Sequence, residues 1–119
     1  MSGTSLDGID VAIVDIRGSR ITTVARATIP YSSEMRERIL AVSNAQCLTG
    51  EISRLNFELG ESYAKAVTAA CRRARISLES IQLIGCHGQT IYHEGHGSRP
   101  NTLQIGEAAI IAERLGIPV

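Results

Sequence analysis

Residues 9–29 read IDVAIVDIRGSRITTVARATI. Ile9 to Ile16 is short and rich in β-branched side chains, and the polar cluster RGSR at Arg17 to Arg20 closes it, as expected of a strand and its turn. Ile21 to Ile29 repeats the pattern, with Ile21, Val24 and Ile29 set among threonines. Two such runs around Gly18-Ser19 predict an antiparallel hairpin, and Pro30 ends its second strand. An initial hairpin rules out a purely parallel sheet, so the fold class depends on the elements after Pro30.

Ser33 is placed to cap a helix through Val42, with Glu34 favourably located in the first turn. Thr49 is placed to cap a longer helix over about Glu51 to Ala74. There Ile52, Leu55, Leu59, Tyr63, Val67, Ala70 and Ala74 recur at helical spacing and form one apolar stripe. Ile81 to Gly85 (IQLIG) reads as a short strand, continued by CHGQTIYH, and a glycine-rich loop from Glu94 to Pro100 leads to TLQIG at Thr102 to Gly106. Glu107 to Leu115 reads as a helix ended by Gly116. Ile117-Pro118-Val119 then begins an extended apolar stretch with no partner in the sequence, as expected of a piece of a larger protein. The order predicts an α/β fold with a mixed sheet and flanking helices.

Composition narrows the function classes. Twelve basic and twelve acidic residues leave no net charge, which gives no footprint for nucleic acid or an anionic membrane. No apolar run approaches the ~18–20 residues of a membrane span, and no signal-peptide pattern opens the chain. Three cysteines, Cys47, Cys71 and Cys86, form no framework spacing, so reduced thiols are expected. The expectation is a soluble, cytoplasmic domain.

Three stretches carry chemistry. MSGTSLDGID, residues 1–10, sets Thr4, Ser5 and Asp7 between Gly3 and Gly8. Such a turn can aim several backbone N–H groups at phosphate oxygens, and Asp7 could position Mg²⁺ or its waters. It matches neither a Walker loop nor a dinucleotide GxGxxG, and a plain surface turn is the competing reading. Gly85-Cys86-His87-Gly88-Gln89-Thr90 follows an apolar strand; small residues there admit a ligand, and His87, Gln89 and Thr90 offer hydrogen bonds suited to a polyol. A histidine satisfied at a strand end is the alternative. In Asn101 to Glu107 (NTLQIGE), Gln104 could bind ligand or serve the next helix terminus. Cys86, His87, His93 and His96, with Glu94, crowd together but match no common zinc spacing. Cys86 beside His87 suggests a thiol nucleophile, yet strand neighbours point to opposite faces.

Together MSGTSLDGID, GCHGQT with the following YHE, and NTLQIGE followed by AERLGIPV resemble one family, the anhydro-N-acetylmuramic acid kinases, over essentially the whole chain. The resemblance implies a ribonuclease H-like, actin-like ATPase fold of two domains, with ATP and Mg²⁺ bound between them. The implied reaction phosphorylates the 6-hydroxyl of 1,6-anhydro-N-acetylmuramic acid while water opens the anhydro ring, a step of peptidoglycan recycling. It assigns Gly3, Thr4, Ser5, Leu6, Asp7, Gly8, Ile9 and Asp10 to the ATP-binding segment. Thr90 is implied to touch the sugar, with His87, Gln89 and Gln104 as weaker candidates.

In the family, a strand precedes the first turn, and a catalytic aspartate and a second domain follow the segment resembling IPV. Asp7, Asp10 and Asp15 match other positions and do not replace that aspartate. The chain is therefore expected to be an incomplete first domain, inactive alone. The competing expectation is a non-catalytic ligand-binding or assembly module. An exposed strand edge would then pair between copies in a homodimer.

Overall fold

A computed structural model of the chain describes residues 6–119. The hairpin forms as expected, from strand β1 (Gly8–Arg17) and strand β2 (Arg20–Pro30), paired antiparallel with Arg17 opposite Arg20. Gly18 takes φ 61 in the two-residue turn, a conformation that a glycine-first hairpin turn needs. The register shifts between Ile13 and Val14, leaving Val24 as the extra residue of a bulge.

Helix α1 (Ser33–Val42) is capped by Ser32 rather than Ser33: the Ser32 hydroxyl oxygen accepts from the Met35 N–H at 3.1 Å. Helix α2 (Thr49–Ala74) is the backbone of the molecule. Thr49 does not cap it; Glu51 reaches back to accept from the Leu48 N–H at 3.1 Å. Leu55, Leu59, Tyr63 and Ala70 of the expected stripe are buried, and the first three, with Ile39, Ile91, Ile105 and Ile111, join β1, α1 and the C-terminal elements in one core. A single 3-10 turn, Leu78–Ser80, precedes the stretch expected to form the next strand.

That strand does not form a ladder. Residues 81–88 carry no strand assignment, although the Ile84 N–H donates to the Pro118 carbonyl at 2.9 Å. The terminal IPV therefore does find a partner, and Ile117 is buried. Extended strands of this kind gain their stability when both faces are covered, and Leu83 is 69% exposed. The expected single mixed sheet is thus replaced, among the described residues, by two antiparallel pairs: β1–β2, and β3 (Gln89–Glu94) with β4 (Asn101–Ile105). The α/β composition stands.

Helix α3 (Ala108–Leu115) is capped by Glu107, whose carboxylate accepts from the Ala109 N–H, and ends at Gly116 in left-handed backbone (φ 67). Arg114 grips Glu61 of α2 at 2.6 and 2.9 Å, and that bond holds the Glu61 carboxyl below its usual range. No described helix is long and apolar enough to cross a membrane.

The three thiols are free. Cys71 is buried on α2, and burial raises its thiol pKa, whereas Cys86 is exposed. Iodoacetamide should alkylate Cys86 first and Cys71 roughly 100-fold more slowly, because only the thiolate reacts and Cys71 must first be uncovered. Peptide mass spectrometry over a labelling time course checks this; equal rates would contradict it.

Candidate functional site

The β3–β4 hairpin brings two of the sequence candidates face to face. Thr90 lies opposite Gln104 in the ladder, and the Gln104 Nε2 donates to the Thr90 Oγ1 at 3.4 Å. Gly88 leads into β3 at φ 77, so close to β4 that a Cβ there would stand 2.7 Å from the Ile105 carbonyl oxygen. Glycine is required at this approach for reasons of packing. Gln89 turns inward and is 2% exposed. Its Oε1 accepts from the Tyr31 hydroxyl at 3.4 Å and its Nε2 donates to the Thr90 carbonyl at 3.2 Å, as a buried amide must. Gln89 therefore supports Thr90 from behind rather than standing beside it. Ile91 forms a bulge, and its carbonyl accepts from the Asn44 N–H at 2.8 Å. His87 is exposed ahead of the strand, with Nδ1 3.2 Å from the Gly88 carbonyl.

The far end of β4 is held by three residues on one face of α2, at positions i, i+4 and i+7. Asn56 Oδ1 accepts from the Gly106 N–H at 2.6 Å, its Nδ2 donates to Glu107 at 3.0 Å, and its carbonyl accepts from the Glu107 N–H at 3.0 Å. Gly60 leaves room for the Glu107 carbonyl, 2.7 Å from where a Cβ would be, and the Tyr63 ring packs on Gly106. Gly106 and Glu107 in the NTLQIGE stretch thus build the corner that places Gln104.

The opening stretch divides similarly. Gly3, Thr4 and Ser5 lie outside the described residues. Leu6 holds left-handed backbone (φ 52), uncommon for leucine, with its side chain in the core. Gly8 is needed because a Cβ would fall 2.5 Å from the Ile29 carbonyl oxygen, and Ile9 is a core residue. Asp10 accepts from the Thr28 hydroxyl at 2.6 Å. Asp7 is exposed, and its carboxylate makes no hydrogen bond or ion pair among the described residues. One free carboxylate fits Mg²⁺, which keeps most of its ligands as water and phosphate oxygens. Leu6 and Ile9 share the core with Ile91 and Ile105, so both candidate segments grow from one packed interior.

Among the described residues no three His, Cys, Asp or Glu side chains gather as a metal site. Glu94, in the crowded histidine stretch, instead accepts from the Tyr92 hydroxyl, which raises the phenol pKa. Two grooves, about 240 Å³ beside the hairpin and about 400 Å³ between α2 and α3, are lined by none of the candidate residues. Thr90 and Gln104 are both half-buried on the β3–β4 pair.

The sequence profile described as anhydro-N-acetylmuramic acid kinase matches residues 1–119. The chain belongs to the anhydro-N-acetylmuramic acid kinase family. It is 47% identical over 122 residues to the anhydro-N-acetylmuramic acid kinase of Bacillus cereus (strain AH820), covering 94% of this chain and 31% of that protein. Identity and coverage are the same for the kinases of that name from Bacillus anthracis (strain A0248) and Bacillus thuringiensis subsp. konkukian (strain 97-27). The chain thus spans less than a third of the length of these kinase relatives.

Three residues that help build this candidate surface escaped sequence reading: Tyr31, Asn56 and Gly60. Asn56 and Gly60 did carry a signal, a polar and a small residue four positions apart, each directly after a residue of the apolar stripe of α2. Tyr31 carried none, because its partner Gln89 lies 58 residues away.

Proposed function

We propose that these residues form the incomplete first domain, ribonuclease H-like and actin-like, of a cytoplasmic two-domain sugar kinase. Its reaction is ATP-dependent conversion of 1,6-anhydro-N-acetylmuramic acid to N-acetylmuramic acid 6-phosphate in peptidoglycan recycling. The anhydro C1–O6 bond breaks as water oxygen bonds to C1 and gives up a proton, and O6 takes the terminal phosphoryl group of ATP, releasing ADP. Backbone N–H groups of residues 3–10 would cradle the phosphates, and Asp7 would hold Mg²⁺, which would supply charge neutralisation there. Thr90 and Gln104 bind sugar hydroxyl or acetamido groups, Gln89 steadies Thr90 from within, and exposed His87 borders the same surface.

The observation that carries this reading is the Thr90–Gln104 pair, fixed on the core that also anchors Leu6 and Ile9. No carboxylate here is given the role of general base to the attacking water; that group belongs to the remainder of the kinase. Consequently the 119-residue chain, incubated with ATP, Mg²⁺ and the anhydrosugar, should release no phosphorylated sugar detectable by mass spectrometry. ATP-dependent formation of the 6-phosphate by the pure chain would overturn the assignment of catalysis to other residues.

A second reading, an assembly module, is favoured by the apolar tip of the first hairpin, where Ile16 and Ile21 are 62% and 67% exposed. Light scattering that finds a stable homodimer, unmoved by ATP or anhydrosugar, would favour it.

A further inference from the structure

We propose that Thr102 is a positioning residue that sets which hydrogen-bonding groups the Thr90–Gln104 surface offers its ligand. This rests on reading that surface as the sugar contact. The Thr102 hydroxyl donates to the Tyr92 carbonyl at 3.0 Å across the β3–β4 pair. Its single proton is thereby used, so toward any further neighbour Thr102 Oγ1 can only accept. That neighbour is Gln104, whose Nε2 lies 2.6 Å away. The carboxamide must therefore turn its nitrogen, and not its oxygen, toward Thr102.

The consequence reaches the ligand side. The Gln104 Nε2 directs its other proton at the Thr90 Oγ1, which accepts at 3.4 Å. Gln104 Oε1 is left as a free acceptor and the Thr90 hydroxyl proton as a free donor among the described residues. One donor and one acceptor, carried by residues opposite each other in the ladder, suit a neutral group that both gives and receives a hydrogen bond. A sugar hydroxyl or an acetamido group meets that demand. A carboxylate, which only accepts when ionised, would face Gln104 Oε1 with like polarity. Specificity at this surface is thus set by Thr102, a residue that need not touch the ligand.

The test compares the 119-residue chain with its Thr102→Val and Thr102→Ser variants. Valine keeps the branched shape on an exposed strand but has no oxygen; serine restores the oxygen. Two readouts are taken: the Gln104 side-chain amide proton resonances without ligand, and titrations with 1,6-anhydro-N-acetylmuramic acid and with acetate, an anion that only accepts. Thr102→Val should speed solvent exchange of the Gln104 amide protons and weaken anhydrosugar binding about tenfold, as for loss of one orienting hydrogen bond. It should leave the weak response to acetate no weaker than before, and Thr102→Ser should restore both wild-type readouts. Unchanged Gln104 amide protons in Thr102→Val, or failure of serine to restore them, would overturn the proposal. If the wild-type chain shows no saturable anhydrosugar binding, the sugar reading fails, and the amide resonances alone then decide the role of Thr102.

Discussion

Replacing Gly106 with alanine lowers the melting temperature of the chain by more than about 10 °C, the largest drop expected for so small a change. Two costs combine. Gly106 holds φ 131, a backbone region that L residues avoid, worth about 1–3 kcal/mol. The new methyl would also stand 2.4 Å from Cε2 of the Tyr63 ring, which is itself buried and cannot swing aside. Overpacking of this kind adds about 1–3 kcal/mol. Gly18→Ala is the control: φ is 61 there but nothing lies within 4 Å of the new methyl, so only the backbone cost applies. Circular dichroism melts of both variants separate the two contributions. Equal shifts would mean that the contact between Gly106 and Tyr63 is not what the corner rests on.

Leu59→Ala lowers stability by about 3 kcal/mol. Leu59 is 0% exposed at the centre of the α2 stripe, packed in the core that links β1 to the β3–β4 pair. Truncation removes burial and leaves a cavity that α2, pinned by Asn56 and Arg114, is poorly placed to close. Phe57, two residues earlier and larger, is 51% exposed; its replacement by alanine should stay within about 0.5 kcal/mol. In urea, the Leu59→Ala midpoint should fall with an unchanged slope. A larger effect at Phe57 than at Leu59 would show that α2 packs through a different face.

The elements legible in the sequence are those governed by local rules. Gly18-Ser19 between β-branched runs marks the hairpin, and the apolar stripe marks α2. The errors fall where distant partners decide. The expected cap Ser33 is the first residue of α1, and the extended backbone of Ser32 gives that neighbour the role. Residues 81–85 have the composition of a strand, but one bond to Pro118 and an exposed Leu83 do not make a ladder. At the candidate site, residue type is more legible than role. Gly8, Gly88 and Gly106 have the look of ligand-approach or turn glycines, and each is explained by a neighbouring backbone or ring within 3 Å of a would-be Cβ. Gln89 has the chemistry of a sugar contact, but its inward direction depends on Tyr31, far away in sequence.

The most direct measurement is an NMR titration of the isotope-labelled chain with 1,6-anhydro-N-acetylmuramic acid, following every backbone amide. Saturable shifts should concentrate at Thr90 and Gln104 and their ladder neighbours, leaving the α2–α3 groove around Lys65 and Arg72 unmoved. Shifts centred on that groove, or none at Thr90 and Gln104 when others saturate, would contradict the assignment of the β3–β4 surface to the sugar.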